Sequence, residues 1–379
     1  MRRLKAVFGP NATNDRHVWR IVDADLLASQ WQPDLQFLIP ALTPSQRDLV
    51  AHYRASGLSN VEWVDAIGLQ SGDIVSATPE RCEASILYRE SDLHHGLQMT
   101  NRCNSYCLMC SQPPTPQEDS WMVREAIDVI RHMENSPTVL GLSGGEPLLL
   151  GPHLRTVLDS LTKKHPSTRV EILTNGRLLA NSDQSKLLLD GLNTPTTWLV
   201  PLYGHADFLH DFVVQAQGAF EQTIAGLLNL QQYHQPIQLR IVLIRPVLEV
   251  LPELCMFIGR NLPFVKEVAL MACEPIGFAL ANREHCEVDL LEWEDVIQQA
   301  ALQLTRHSIP FLFMNTPLCA LSKPLRRHAH RSISDWKNVY TPTCDTCDMK
   351  QDCSGFFSWH ERGWKPSKVI KVLNEEYAT

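Results

Sequence analysis

The chain has 379 residues, 44% of them hydrophobic and 20% charged, enough for one large domain with additions and a sizeable core. Its formal net charge of −8 excludes a general polyanion binder. No stretch approaches the roughly 18 apolar residues of a membrane-crossing helix. The opening Met1 to Pro10 lacks a secretory apolar core, so a cytoplasmic protein is expected. Eleven cysteines in such a chain point to metal or redox chemistry rather than disulfides. Asn11-Ala12-Thr13 matches a glycosylation sequon, which carries no meaning without export.

Residues 1–90 read as a small α+β domain. Leu35–Ile39 and Asp73–Ala77 look like strands. Thr43–Ser56 looks like a helix, with Thr43 as its cap and Pro44 at its first position. From about residue 91 to 315, strands and helices alternate. The expected strands are Gly96–Thr100, Thr138–Leu142, Arg169–Thr174, Thr197–Leu202, Gln238–Ile244 and Lys266–Cys273, with Ile309–Met314 as one more. The helices between them cover Ser120–Asn135, His153–Lys164, Ser182–Gly191, Gly218–His234, Leu251–Asn261 and Asp289–Thr305. Such alternation predicts parallel β/α units, and in β/α barrels the functional groups sit on loops after the strands. Residues 316–379 form a third, Cys-rich extension.

The loop after the first barrel strand reads Asn101-Arg-Cys-Asn-Ser-Tyr-Cys-Leu-Met-Cys-Ser-Gln-Pro-Pro114. Its Cys103, Cys107 and Cys110 are spaced C-x3-C-x2-C. The asparagines and prolines make a loop rather than a helix. A closed zinc site wants four ligands, and the segment supplies three. His94 and His95 lie upstream, but the apolar strand between leads away from them. Three thiolates suit a cubane with one open iron. The loop after the second strand reads Ser143-Gly144-Gly145-Glu146-Pro147, and the loop after the third reads Thr174-Asn175-Gly176. Glycines allow close backbone approach or positive φ, and Glu146 offers a carboxylate to a cation.

These three loops on one predicted rim resemble radical SAM enzymes. The resemblance implies a partial (β/α)6 TIM-like barrel of α/β class, and a [4Fe–4S] cluster on Cys103, Cys107 and Cys110. It also implies S-adenosylmethionine (SAM) on the open iron, an external electron donor, and a 5′-deoxyadenosyl radical after reductive cleavage. Gly144, Gly145, Glu146 and Pro147 match the segment that meets the methionyl ammonium. Thr174 and Asn175 match groups near the ribose. Met109 stands where the family usually has an aromatic residue whose backbone helps hold adenine. Glu274-Pro275-Ile276-Gly277 is similar to a segment found beside adenine, and Arg240 or Arg245 is a candidate for the SAM carboxylate. No catalytic side chain beyond the cluster ligands is implied.

The extension holds Cys344, Cys347 and Cys353 at C-x2-C-x5-C, with Cys319 upstream. Four thiolates suit structural zinc as well as a second cubane. The pattern partly resembles the auxiliary-cluster extensions of SPASM or twitch type, with cysteines for one cluster. The wording Met-Thr-Asn-Arg-Cys-Asn-Ser-Tyr-Cys, Arg-Ser-Ile-Ser-Asp-Trp and the ending Cys344-Asp-Thr-Cys347 with Cys353-Ser-Gly355-Phe-Phe is similar to the HxsC-type maturases from about residue 70 onward. That resemblance implies a ribosomally made His-Xaa-Ser peptide as substrate and a second radical SAM protein of HxsB type as partner. The net charge and the lack of a long apolar run lead to the expectation of no nucleic-acid and no membrane partner. A small-molecule cofactor precursor as substrate, and a non-catalytic metal-binding scaffold, are the rival readings. Of the remaining cysteines, Cys82 and Cys255 read as incidental or core thiols. Cys273 ends a barrel strand and Cys286 has no evident partner.

Overall fold

The computed structural model describes residues 2–12 and 18–374, so Thr13 of the sequon lies outside the described residues. Two seven-stranded sheets carry the fold, followed by a two-stranded ribbon.

The first sheet uses β1 (Arg2–Lys5), β2 (Val7–Phe8), β3 (Val18–Ile21), β4 (Phe37–Pro40), β5 (Val61–Asp65), β6 (Ile74–Thr78) and β7 (Glu83–Tyr88) in the order β1-β7-β6-β3-β4-β5-β2. β1 and β2 are one ribbon interrupted at Ala6. Its first half pairs with β7 and its second with β5, so among the described residues the sheet closes on itself through this ribbon. The expected helix runs Pro44–Ala55. Thr43 N–H donates to Gln46 Oε1 at 3.0 Å, which ties down the helix start.

The second sheet takes β8 (Gly96–Gln98), β9 (Val139–Ser143), β10 (Arg169–Leu173), β11 (Thr196–Pro201), β12 (Ile237–Leu243), β13 (Glu267–Ala272) and β14 (Phe311–Met314) strictly in chain order. All six pairings are parallel. This is the partial TIM-like barrel with an N-terminal domain. Parallel strands covered by helices read as apolar runs, and these do: Ile237, Leu239, Ile241 and Leu243 of β12 join Leu227, Leu230, Leu254 and Ile258 of the flanking helices in one core. Strand alternation places Gln238, Arg240 and Val242 on the opposite, lumenal face.

Two details differ from expectation. The helix expected at Asp289–Thr305 begins at Glu294, because Asp289 is occupied in holding the extension: its carboxylate accepts from Leu291 N and Lys368 N. An eight-residue helix, Asp207–Val214, follows β11 where the sequence reading has only a connection.

The extension does not hang free. Phe313 of β14 bridges to Ala329, and His330 N–H donates to Phe313 O at 2.8 Å. Asp335 accepts from Leu93 N at 2.8 Å, just before β8. Lys337 pairs with Glu274 at the end of β13 (3.3 Å). The extension therefore ties the barrel's last strand to the approach of its first. β15 (Asn338–Val339) and β16 (Phe356–Phe357) form its antiparallel ribbon.

Candidate functional site

The Cys103–Cys110 loop leaves the end of β8 and is held from every side. Asp119, buried, accepts from Thr100 Oγ1 (2.8 Å), Asn101 N (2.6 Å) and Arg102 Nε (3.2 Å), so the chain's return is fastened to its exit. The helix Asp207–Val214 receives the loop at its C-terminal end, where free carbonyls are available. Tyr106 N–H donates to Val214 O and Leu108 N–H to Val213 O, both at 3.0 Å. Asn282 Nδ2 donates to Leu108 O (3.0 Å) and Phe278 N to Cys110 O (2.9 Å). Arg177 donates to Asn104 O and to Ser105 Oγ. The short helix after β11 is thus a functional element that sequence reasoning missed.

The glycines prove to serve loop-to-loop contact. A Cβ on Gly144 would stand 2.3 Å from Thr100 O, and one on Gly145 2.1 Å from Arg102 O. Gly144 also has φ +140°, which L side chains rarely adopt. Gly145 N donates to Thr100 O and Glu146 N to Arg102 O, both at 2.8 Å. Gly277, with φ +64°, presses on Cys110 O in the same way, at 2.4 Å for an added Cβ. The segments after β9 and β13 are therefore packed directly on the cysteine loop's backbone.

Glu146 is fully buried, and its carboxylate is turned inward. Oε1 accepts from Leu148 N (2.9 Å) and Thr174 Oγ1 (2.5 Å), and Oε2 from Asn175 N (2.6 Å). Burial raises its proton affinity, and these three donors and the nearby Arg177 oppose that. The glutamate thereby fastens the loops after β9 and β10 to each other. Asn175 Nδ2 continues the chain to Asn104 Oδ1 at 2.6 Å, within the cysteine loop. Pro147 opens a 3-10 turn on the buried side, and Met109 is buried in the barrel core. Glu146→Ala is expected to orphan two buried donors and a part-buried one and destabilise by ~3 kcal/mol or more. Thermal unfolding of the metal-free protein checks this, and an unchanged Tm would show that the bonds are dispensable.

Cys103, Cys107 and Cys110 are free, partly exposed thiols. Burial pushes Cys103 up to about 11 and Cys107 up to about 12, and the neighbouring thiolates add to the Cys107 shift. Backbone N–H groups of Ser105 and Asn104 oppose the rise at Cys103. Three such thiols ionise together only with a strongly cationic partner. A single zinc would gather thiolates to about 3.8 Å from one another. Among the described residues no three His, Cys, Asp or Glu side chains are gathered so as to hold one ion. Three thiols that share one loop, with no fourth ligand in it, have the chemistry of an iron–sulfur cluster site with one iron left open. His94 and His95 sit at the far end of β8, where His95 stacks on Tyr88 at 4.6 Å.

In the extension, Cys319, Cys344, Cys347 and Cys353 line one cavity together with Leu318, Ile370 and Leu373. Backbone N–H groups point at the sulfurs: Leu318 N and Gly355 N at Cys353 Sγ (both 3.4 Å), and Leu373 N at Cys347 Sγ (3.5 Å). Lys371 N–H does the same for Cys319, whose thiol burial pushes up to about 11. The segment around Ile370–Leu373, which carries no metal motif of its own, forms one wall.

Cys286 does have a partner. Its thiol and that of Cys273 are both buried and close enough to shift each other's ionisation, Cys273 upward and Cys286 downward, and Cys286 Sγ approaches Leu108 O at 3.7 Å. Arg245 lies outside the barrel, with Nε toward Glu284 O, whereas Arg240 is inside it. In the stretch Lys323–Lys337, rich in Lys and Arg, Arg326 and Arg331 are turned onto the extension's own carbonyls.

Residues 97–253 match the Radical SAM superfamily. No curated protein matches the chain. Similar solved structures include Streptococcus suis SuiB bound to S-adenosylmethionine, at 13% identity and a TM-score of 0.47 over 58% of this chain and 50% of that one. Native anSMEcpe with bound AdoMet and Cp18Cys peptide follows at 13% and 0.46, over 57% of this chain and 63% of that one. A radical SAM methyltransferase from Sphaerobacter thermophilus gives 16% and 0.43, over 64% and 68%. The chain spans about half the length of the first and under two thirds of the second. Among the described residues no helix is long and apolar enough to cross a membrane. The matched segment runs from β8 through the Cys103, Glu146 and Thr174 loops to the helix after β12, and it is a Radical SAM superfamily domain.

Proposed function

We propose that the chain is a radical SAM enzyme that modifies a ribosomally made peptide of His-Xaa-Ser type. The observation that carries the enzyme reading is the convergence of three partly exposed thiols with the Gly144–Pro147 and Thr174–Gly176 loops on one rim of a parallel barrel. Cys103, Cys107 and Cys110 would hold the [4Fe–4S] cluster. When bound there, the cluster and SAM supply a 5′-deoxyadenosyl radical after one electron arrives from an external donor. The chain's own residues position and enclose. Gly144 and Gly145 let two loops meet without side chains between them, Glu146 locks the Thr174–Asn175 loop, and Asn175 holds Asn104 beside Cys103. Met109 supplies backbone rather than a ring at the adenine position.

Cys319, Cys344, Cys347 and Cys353 are proposed to hold a second [4Fe–4S] cluster. Supporting this reading, four thiols line a common cavity, and backbone N–H groups are directed at three of the sulfurs. Hydrogen bonds to cluster sulfurs are a means by which proteins tune such centres. The peptide substrate and an HxsB-type partner rest on the resemblance of the Cys103 and Cys344–Phe357 segments to HxsC-type maturases.

Anaerobic reconstitution with iron and sulfide, followed by dithionite and SAM, tests the reading. About eight irons per chain and formation of 5′-deoxyadenosine are expected. Absence of both SAM binding and deoxyadenosine in the fully iron-loaded protein would remove the enzyme reading. A mass change in a His-Xaa-Ser repeat peptide, present only with SAM, reductant and the partner, is the expected sign of the substrate class.

A further inference from the structure

Arg240 sits inside the barrel without an anionic partner. Its Nε donates to Gln238 Oε1 at 3.0 Å, and Gln238 Nε2 donates onward to Glu267 Oε1 at 2.9 Å. Among the described residues no carboxylate lies within ion-pairing distance of its guanidinium, although Glu171 and Glu267 are near enough to act on it through space. Burial works against its charge. An enclosed guanidinium without a carboxylate is costly, and its remaining N–H groups form a fork suited to two carboxylate oxygens.

The register shows from which side an anion arrives. Glu267 is level with Gln238, two residues below Arg240 on the same face, and Glu171 is level with Thr197, which lies below Pro201, the neighbour of Arg240. Both carboxylates therefore belong to the floor of the lumen. At Arg240's own level stand Pro201, Ala269 and Leu312. One layer nearer the cysteine rim stand Val242, Met271 and Met314. Tyr203, two residues on from Pro201, stands at that level too, and its phenol lies near enough to act on Arg240, so a visitor from the rim passes three apolar side chains and one phenol and then meets the guanidinium.

We infer that Arg240 is the anchor for a substrate carboxylate carried on an apolar stem, as an acidic side chain or a peptide C-terminus presents it. The inference rests on the barrel being the reaction chamber proposed above. It names the chemical class of the group that reaches furthest in. The carboxylate of SAM is the other source of the same chemistry, and the test separates the two.

The test uses the reconstituted full chain. Butyrate serves as the probe, since it has an apolar stem and a carboxylate, and butyramide is the neutral control at matched ionic strength. With about 50 mM probe, butyrate and not butyramide is expected to raise Tm by ~1–3 °C, as a ligand binding only the native state does. Arg240→Met is expected to abolish that increment and, by removing an unpaired enclosed charge, to raise the Tm of the probe-free protein. Arg240→Gln, which keeps a polar group for Gln238, is expected to lose the increment too. Affinity for SAM, measured by equilibrium dialysis, should stay within ~2-fold in both variants.

Equal responses to butyrate and butyramide would overturn the inference. So would a lowered probe-free Tm in both variants, which would make Arg240 a structural member of the Gln238–Glu267 chain. A tenfold loss of SAM affinity would assign the guanidinium to SAM instead. Iron content and SAM binding of the parent report on the enzyme reading separately, so its failure would be seen independently.

Discussion

Replacing Cys103, Cys107 and Cys110 together by alanine is expected to abolish 5′-deoxyadenosine formation and to lower bound iron from about eight to about four per chain. The remaining iron would be that held by Cys319, Cys344, Cys347 and Cys353, and its loss in a Cys344/Cys347→Ala variant would complete the assignment. The fold should survive the first change. The loop is held by Asp119, Arg177, Asn282 and the helix Asp207–Val214 through bonds that involve no cysteine sulfur. Far-UV circular dichroism checks that point alongside iron analysis. Iron unchanged at about eight would place the active cluster elsewhere. Zinc in place of the residual iron would leave the enzyme intact and make the extension a structural metal site.

The second large effect is expected from Gly145→Ala. One methyl group would stand 2.1 Å from Arg102 O and 2.6 Å from Arg102 C, both backbone atoms flanking Cys103. Neither can rotate aside, so one of the two loops must move. Overpacking of this kind costs about 1–3 kcal/mol. Here the displacement falls on the residue before a cluster ligand, so loss of the cluster is expected to exceed loss of stability. Mössbauer or EPR signal of the reduced SAM-site cluster should drop severalfold while Tm falls by only a few degrees. Gly151→Ala is the comparison: that glycine, unlike Gly145, has positive φ, and an added Cβ meets nothing within 4 Å, so only backbone strain applies. Equal cluster loss in both variants would mean that strain, not loop contact, is responsible.

The barrel was legible in the sequence because each parallel strand is covered on its outer face and bears a mixed inner one, so strands such as Glu267–Ala272 read as short apolar runs between amphipathic helices. The cysteine spacing and its position after the first strand were equally plain. The orientation of Glu146 was not: a carboxylate after two glycines has the same letters whether it faces a ligand or three backbone and hydroxyl donors from two loops. The helix Asp207–Val214 escaped notice because it is only eight residues long and its role lies in two terminal carbonyls, which every residue type supplies. The Cys273–Cys286 pair and the wall contributed by Ile370–Leu373 depend on contacts between distant segments, and local pattern carries no trace of them. The closure of the first sheet was hidden for a related reason. A ribbon that serves both edges looks like two weak strands split by Ala6.

The bridge from Phe313 to Ala329 has a bearing on how copies of this chain can associate. An open parallel sheet ends in strands whose outer hydrogen-bonding groups invite another strand to add on. At β14 that invitation is already answered within the chain, since Phe313 O takes His330 N–H and Asn315 N–H is met by Ser332 Oγ. Edge-to-edge growth of the barrel sheet is blocked on that side by the same segment that leads into the second set of cysteines. Strand exchange through β14 would therefore require the Cys-rich extension to come away first.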